Sequence, residues 1–306
     1  MIILGIGGIL DNAACAVLKD GQLAAAVEQK KVARRNRPGE LPEAAIDACL
    51  QLAGARPENI ECIALARPLA AGPGTSLHLR VRAAYPNSRV VIAGHHMAHA
   101  ASAYYASPFE EATVLTLDRL GDFRCAARWL ARGNSLALDH DLYFPDSLGD
   151  LYGRVTELLG FEPRADEHKV QWLSTAGDSR FDELFLDILE STPGAFRVNR
   201  SYFSADRLSQ GGFGARFYER LGIADGAPVP PALRPHVAAG LQHALERAVL
   251  DYAGGGENLC LAGGVAYNAL LIESLERSGR WKNVFVQPAA GNAGAALGAV
   301  YYAWHQ

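Results

Sequence analysis

Residues 95–109 read HHMAHAASAYYASPF, with three histidines inside five positions. If the segment after Gly94 is helical, His95 and His99 stand four residues apart, on one face and one turn from each other. That is the spacing of a two-histidine metal site. The same imidazoles can instead cap the helix start and satisfy hydrogen bonds in a core. His96 points elsewhere, which suits packing or hydrogen bonding. Two imidazoles alone hold a metal weakly, so the metal reading requires a third ligand from a distant segment.

Two further stretches carry chemistry. LAGGVAYN at 261–268 and QPAAGNAGAALGA at 287–299 each follow an apolar strand and open a helix. Backbone N–H groups at such a junction can hold phosphate or ribose oxygens, while glycine there can equally serve a tight turn with no ligand.

The elements that must position these residues repeat along the chain. IILGIGG followed by AACAVLKDGQLAAAVE predicts a strand, a Gly-rich turn and a hairpin closed by Asp20-Gly21. From 113, TVLTLDRLGD is again an apolar strand with an Asp/Gly turn, and in CAARWLARGNSLALDHDLYF the Arg132-Gly133-Asn134 turn takes the place of Asp20-Gly21. A duplicated unit of this kind predicts two related α/β lobes facing each other across a cleft, where ligands bind. The expected division is a first lobe over 1–112 and a second over 113–306, with an insertion at about 145–235 and a C-terminal helix closing the cleft. Between the repeats, LPEAAIDACLQLAGARPENIECIALAR predicts a helix with Pro42 near its start, a loop and a short strand, and RVVIAG at 89–94 a further buried strand. SLGDLYGRVTELLGF and HVAAGLQHALERAVLDYA predict helices, the second amphipathic, and ADGAPVPPALRP a loop.

Composition bounds the partners. With 306 residues, 49% hydrophobic and 20% charged, the chain matches an ordinary globular enzyme. A formal net charge of -4 exerts no chain-wide pull on nucleic acid or anionic lipid, so neither is expected as a partner. The local cluster KKVARRNR at 30–37 is a solvated helix or loop end, or a patch that meets phosphates or a partner. Five scattered cysteines without a CxxC pair argue for reduced thiols in a cytoplasm and against a zinc ribbon. MIILGIGGIL lacks a basic leader and runs into Asp11 and Asn12, so it predicts a buried strand rather than a signal peptide or membrane span. ALGAVYYAW can bury a homodimer interface or belong to the core.

HHMAHAASAYYASPF resembles the signature of the NodU/CmcH carbamoyltransferase family, whose first domain belongs with the Kae1-like proteins of the actin-like, hexokinase-like superfamily. The resemblance runs the whole length: DGQLAAAVEQ, DSLGDLYGRVTELLGF with DEHKV at 166–170, LAGGVAYN and QPAAGNAGAALGA also match. It implies a duplicated two-lobed α/β fold with a central cleft. It also implies that His95 and His99 bind a metal, iron(II) in most of the superfamily. Gly263, Gly264 and Asn268 occupy the nucleotide-binding turn, and the turn from Asp118 through Arg119 and Gly121 to Asp122 faces its phosphates. Glu167 and Lys169 match positions along the cleft. In the family, a second, YrdC-like domain makes carbamoyl adenylate from ATP and carbamoyl phosphate. The first domain then transfers the carbamoyl group to a hydroxyl or amine of a small metabolite.

The sequence departs from that pattern at several places. The chain stops just after the closing helix, so carbamoyl adenylate is expected from a separate protein. The aspartate of the family's AGDAG motif, its third metal ligand, is Asn292 here, and an amide brings no negative charge, so metal affinity is expected to fall. The early His-Asp pair reads Asp11-Asn12, which offers Asp11 as a ligand or base. KVMGLAPYG reads KVQWLSTAGD, and DGxGE reads DRLGD, where the Arg119 guanidinium can bind a phosphate or fill a nucleotide's space. Three readings follow: a biosynthetic transferase with a non-standard donor or reaction; a non-catalytic subunit dependent on an active partner; and a metabolite kinase, which the histidine pair disfavours.

Overall fold

The computed structural model describes residues 1–33, 38–68, 76–207 and 209–306. Its first half contains β1 (Ile2–Gly7), β2 (Ala14–Lys19), β3 (Gln22–Glu28), α1 (Gln29–Ala33), α2 (Glu43–Ala53), β4 (Cys62–Ala66), α3 (Ser76–Ala84) and β5 (Arg89–Ala93). After α4 (His95–Tyr104) come β6 (Glu111–Gly121), β7 (Arg124–Arg132) and β8 (Ser135–Tyr143). The middle of the chain supplies α5 (Leu148–Leu158), α6 (Glu167–Ser174), α7 (Asp182–Ile188), the ribbon β9 (Leu189–Thr192) and β10 (Ala195–Val198), and α8 (Ala215–Leu221). The chain then runs through α9 (Arg234–Ala253), β11 (Gly256–Ala262), α10 (Ala269–Arg277), β12 (Trp281–Val286) and α11 (Ala295–Trp304).

The two large sheets have one topology. The first is ordered β3-β2-β1-β4-β5 and the second β8-β7-β6-β11-β12. In each, three antiparallel strands joined by hairpins are followed by two strands added in parallel. The sequence repeat is therefore a repeat of fold. In the first sheet the β2–β3 hairpin turns at Asp20 (φ 51°) and Gly21 (φ 81°), the left-handed pair that a two-residue loop of matching twist requires.

Alternation along β1 decides what covers each face. Leu4 and Ile6 pack with Ile46, Cys49 and Leu50 of α2 and with Leu77 and Val81 of α3. On the other face, a Cβ added at Gly5 would stand 2.4 Å from the Ala296 carbonyl oxygen, so α11 lies directly against the strand. The apolar side of α11, with Ala295, Ala296, Ala299, Val300 and Ala303, is spent on this sheet. α4 does the converse: Ala100, Ala103 and Tyr104 pack on Val114, Ala127 and Trp129 of the second sheet. The two helices meet between the sheets, where a Cβ at Gly298 would fall 1.7 Å from the Ala98 carbonyl oxygen. ALGAVYYAW is thus internal packing.

Two expectations need correction. β5 is a sheet edge, with Ile92 44% exposed, rather than a buried strand; its apolar run reflects parallel pairing to β4 on one side only. α9 is buried around most of its circumference, from Val237 to Ala253, because β9 and β10 of the middle segment, together with α6 and α7, wrap it. The other helices and the loop at 224–233 fall where the pattern places them. Of the basic cluster, residues 34–37 lie outside the described residues; Lys30 hydrogen-bonds Asn12 at 2.7 Å. Among the described residues, no helix is long and apolar enough to cross a membrane.

The crossing of α4 over α11 leaves no room for a methyl group. Gly298→Ala is expected to cost roughly 1–3 kcal/mol of stability, as overpacked cores do, read as a lowered urea midpoint with an unchanged slope.

Candidate active site

α4 begins at the end of β5 with Gly94 in extended conformation as its N-cap, and the helix carries all three histidines inward: His95, His96 and His99 are 4%, 1% and 0% exposed. β6 passes beneath it and ends its apolar run at Asp118. The Asp118 carboxylate is the third group of the cluster: Oδ2 lies 2.9 Å from His95 Nε2 and 3.3 Å from His99 Nε2. The two Nε2 atoms are 3.2 Å apart. The sequence reading placed Asp118 at the nucleotide phosphates and sought the third ligand at Asn292. The structure brings Asp118 to the histidines, and the turn Asn292–Gly294 packs against α4 nearby.

Electrostatics follow from the enclosure. Burial pushes the Asp118 carboxyl upward, yet hydrogen bonds and charge from His95 and His99 hold it well below the usual carboxylate range. Burial pulls His95 down, but Asp118 outweighs it and the ring sits above its ordinary value. His99, fully enclosed and beside His95, is lowered. The cluster is one carboxylate oxygen shared by two imidazoles, and these two contacts set the charge preference of all three groups.

His96 faces the other way and completes a separate network. Trp129 Nε1 donates to Thr116 Oγ1 at 3.3 Å, Thr116 Oγ1 lies 2.8 Å from His96 Nδ1, and His96 Nε2 lies 3.0 Å from the Arg124 carbonyl. A neutral ring protonated at Nε2 satisfies every partner. Burial, with the charge of His95 and His99, pushes its pKa down to about 3.

The donor set fits a divalent cation. The ligand atoms of His95, His99 and Asp118 all lie within 4.8 Å of one another. His95 Nδ1 is 3.2 Å from the Arg67 carbonyl, so Nδ1 carries the proton and Nε2 is left to coordinate, the usual support for a metal-bound histidine. Two imidazoles and one carboxylate suit iron(II) or zinc.

The glycines around the cluster have distinct duties. A Cβ at Gly121 would stand 1.9 Å from His95 Cδ2, so its bare backbone is the wall against which the imidazole rests. Gly263 (φ 93°) runs against Leu117, and a Cβ at Gly264 would be 3.2 Å from Asp118 Oδ1. The Gly263-Gly264 turn therefore abuts the histidine–aspartate cluster. On the far side, a Cβ at Gly8 would be 2.9 Å from the Asn292 carbonyl oxygen, which seats the loop bearing the exposed Asp11 beside the Asn292 turn.

Other expected site residues are engaged elsewhere. Asn268 caps α10, accepting from Leu271 N at 2.9 Å, and exchanges hydrogen bonds with the buried Gln242 at 2.8 and 3.0 Å. Ala269 N donates to Gln171 at 3.1 Å, so the start of α10 is satisfied within the chain. Lys169 pairs with Asp166 at 2.8 Å over the Phe161 ring. Arg119 leans toward Asp150 at 3.7 Å, and Glu167 accepts from Arg164 N at 2.5 Å. Sequence reasoning missed the Thr116–His96 network and the Arg67 carbonyl, neither of which has a motif.

The family described as Carbamoyltransferase N-terminus matches residues 77–301. The chain belongs to this carbamoyltransferase family. It is 33% identical to nodulation protein NolNO of Sinorhizobium fredii over 95% of the chain and 46% of that protein. It is 32% identical to an uncharacterized protein of Synechocystis over 99% of the chain and 57% of that protein. The chain thus spans about half the length of the curated relatives it matches. Among solved structures, HypF of T. kodakarensis superposes with a TM-score of 0.59 at 16% identity, covering 98% of the chain and 46% of HypF. Component A of the Acidaminococcus fermentans (R)-2-hydroxyglutaryl-CoA dehydratase gives 0.56 at 15% identity, covering 99% and 97%. These likenesses establish the actin-like two-lobed fold of this carbamoyltransferase-family chain.

Two outcomes test the site's construction. Between pH 6.5 and 4.5 the unfolded chain takes a proton at residue 96 that the folded chain refuses. His96 therefore removes up to about 1.4 kcal/mol of stability per unit as pH falls, and His96→Gln is expected to show a correspondingly shallower loss in urea titrations. Gly121→Ala, which displaces the His95 ring, is expected to weaken cobalt(II) binding about tenfold or more, measured by absorption titration.

Proposed function

We propose that this chain transfers a carbamoyl group to a hydroxyl or amine of a small metabolite, within its central cleft and in small-molecule biosynthesis. The observation that carries the reading is the convergence of His95 Nε2, His99 Nε2 and Asp118 Oδ2 at 2.9–3.3 Å beside the Gly263-Gly264 turn. Asn292 and Arg119 favour a donor or reaction other than the family's standard one; where the donor is carbamoyl adenylate, ATP and carbamoyl phosphate supply it through a separate or attached carbamoyl-adenylate-forming protein. In the transfer, the acceptor's lone pair forms a bond to the carbamoyl carbon as the bond to the adenylate phosphate oxygen breaks, and AMP leaves.

The chain's own residues divide that work. His95, His99 and Asp118 would hold iron(II) or another divalent cation, which when bound supplies Lewis-acid polarisation of the carbamoyl oxygen. The Gly263 N–H is spent on the Ala290 carbonyl at 2.7 Å, so the bare backbone at Gly264 is the candidate to meet the phosphate end of the donor. Asp11 is the candidate to take the acceptor's proton, since its loop meets the Asn292 turn at the same cleft. A non-catalytic subunit working beside an active partner is the second reading; Asn292, where the family carries an aspartate, favours it.

The test is elemental analysis of protein purified without tag or chelator, then transfer of labelled carbamoyl from carbamoyl adenylate to an acceptor panel. Near-stoichiometric metal in the wild type, lost in His95→Ala, His99→Ala and Asp118→Ala together with transfer, is the expected result. Transfer unchanged in those variants would refute the site. A metal-free wild type that gains metal only as Asn292→Asp would favour the second reading.

A further inference from the structure

His95 is gripped at three points, all from residues outside the set that would hold a metal. Its main-chain N–H, the first of α4, donates to Asp122 Oδ2 at 3.3 Å. The other oxygen of the same carboxylate, Oδ1, pairs with Arg67 Nη2 at 3.1 Å. Arg67 in turn offers its carbonyl to His95 Nδ1 at 3.2 Å. The third point is the Gly121 wall. Arg67 follows β4 of the first sheet, while Asp122 is the tip of the β6–β7 hairpin of the second. The ion pair therefore bridges the two halves of the fold at the residue whose ring lines the cleft.

The hairpin tip is built against local preference. Asp122 and Phe123 both have left-handed backbones, with φ 55° and 65°. Glycine or asparagine adopts that conformation far more readily than phenylalanine does, and a Gly-containing pair would make the better turn. Phe123 gains little by burial to offset this, since it is 78% exposed. What holds the tip is its contacts: Asp122 to Arg67 and His95, and the Phe123 carbonyl to Phe144 N at 2.8 Å. A strained turn kept by such contacts is a turn selected for where it puts a side chain.

We infer that Asp122 is a positioning residue: with Arg67 it latches the two sheets together and fixes the rotation of His95 toward Asp118. A carboxylate at a helix N-terminus satisfies an otherwise orphaned N–H and complements the helix dipole. Here it does so while Arg67, on the opposite sheet, holds Nδ1, so separation of the sheets would break one of the two holds on His95. The effect on metal affinity rests on the function proposed above; the effect on the ring does not.

The experiment uses the full chain with ¹⁵N-labelled histidine, free of metal, with the His95 resonance assigned by its loss in His95→Gln. In the wild type, the His95 Nδ1–H is expected to be protected from solvent exchange. Asp122→Gly is the decisive variant, because glycine suits the left-handed turn and removes only the carboxylate. It is expected to lose that protection and to weaken cobalt(II) binding about tenfold while the melting temperature holds or rises. Asp122→Asn, which keeps an acceptor for the N–H, is expected to fall between Asp122→Gly and the wild type, as is Arg67→Met. Phe123→Gly, at the neighbouring left-handed position, is expected to leave His95 unchanged. Protection and cobalt(II) affinity in Asp122→Gly within twofold of the wild type would overturn the inference. A wild type that binds no cobalt(II) would sink the metal reading alone, and Nδ1–H protection would still decide the role of Asp122.

Discussion

A carboxylate taken out of water has to be compensated, and Asp118, 13% exposed at its side chain, is compensated by two imidazoles. Much of the architecture follows from that demand. The rings must reach one oxygen from one helical face, which requires α4 to lie across the end of β6. α4 is held there by α11, whose Gly298 backbone rides on the Ala98 carbonyl, and α11 is in turn seated on the bare backbone of β1. Close backbone approach among β1, α11 and α4 is thus the mechanical counterpart of charge compensation in the cleft. Dense interiors transmit such constraints because they have little slack to absorb them.

The same fold carries component A of a dehydratase and HypF, so fold alone says little about chemistry. What individualises this chain is the residue set at the meeting point of its two repeats. Each repeat contributes a strand–glycine junction, and one repeat contributes Asp118. The stretch matched by the carbamoyltransferase family, residues 77–301, includes His95, His99 and Asp118.

Local chemistry made much of this legible beforehand. The Asp20-Gly21 hairpin, the helix in SLGDLYGRVTELLGF and the His95/His99 face follow from turn preferences and helical period, and all three survive in the fold. The duplicated topology was visible because each half repeats its turn residues in order. The partner of the histidines was harder, since Asp118 is separated from His99 by a loop and a strand. Its signal was a charged residue closing the apolar run TVLTL, a position where an unpaired carboxylate would be costly. Asn268 misled because an asparagine beside a Gly-Gly turn suits a ligand and a helix cap equally; Gln242, 26 residues earlier in sequence, decided for the cap. β5 misled because an apolar run does not reveal how many neighbours a strand has.

The reciprocal covering of the sheets has a consequence for how the molecule is made. The first sheet is complete by Ala93, yet the helix that covers its inner face spans Ala295–Trp304. During synthesis from the N-terminus, that face must wait for some two hundred residues to emerge before it meets its cover. The sheet formed first is therefore the last to be sealed. Because α4 is pinned by the same late helix, the cleft itself is among the final features to become rigid.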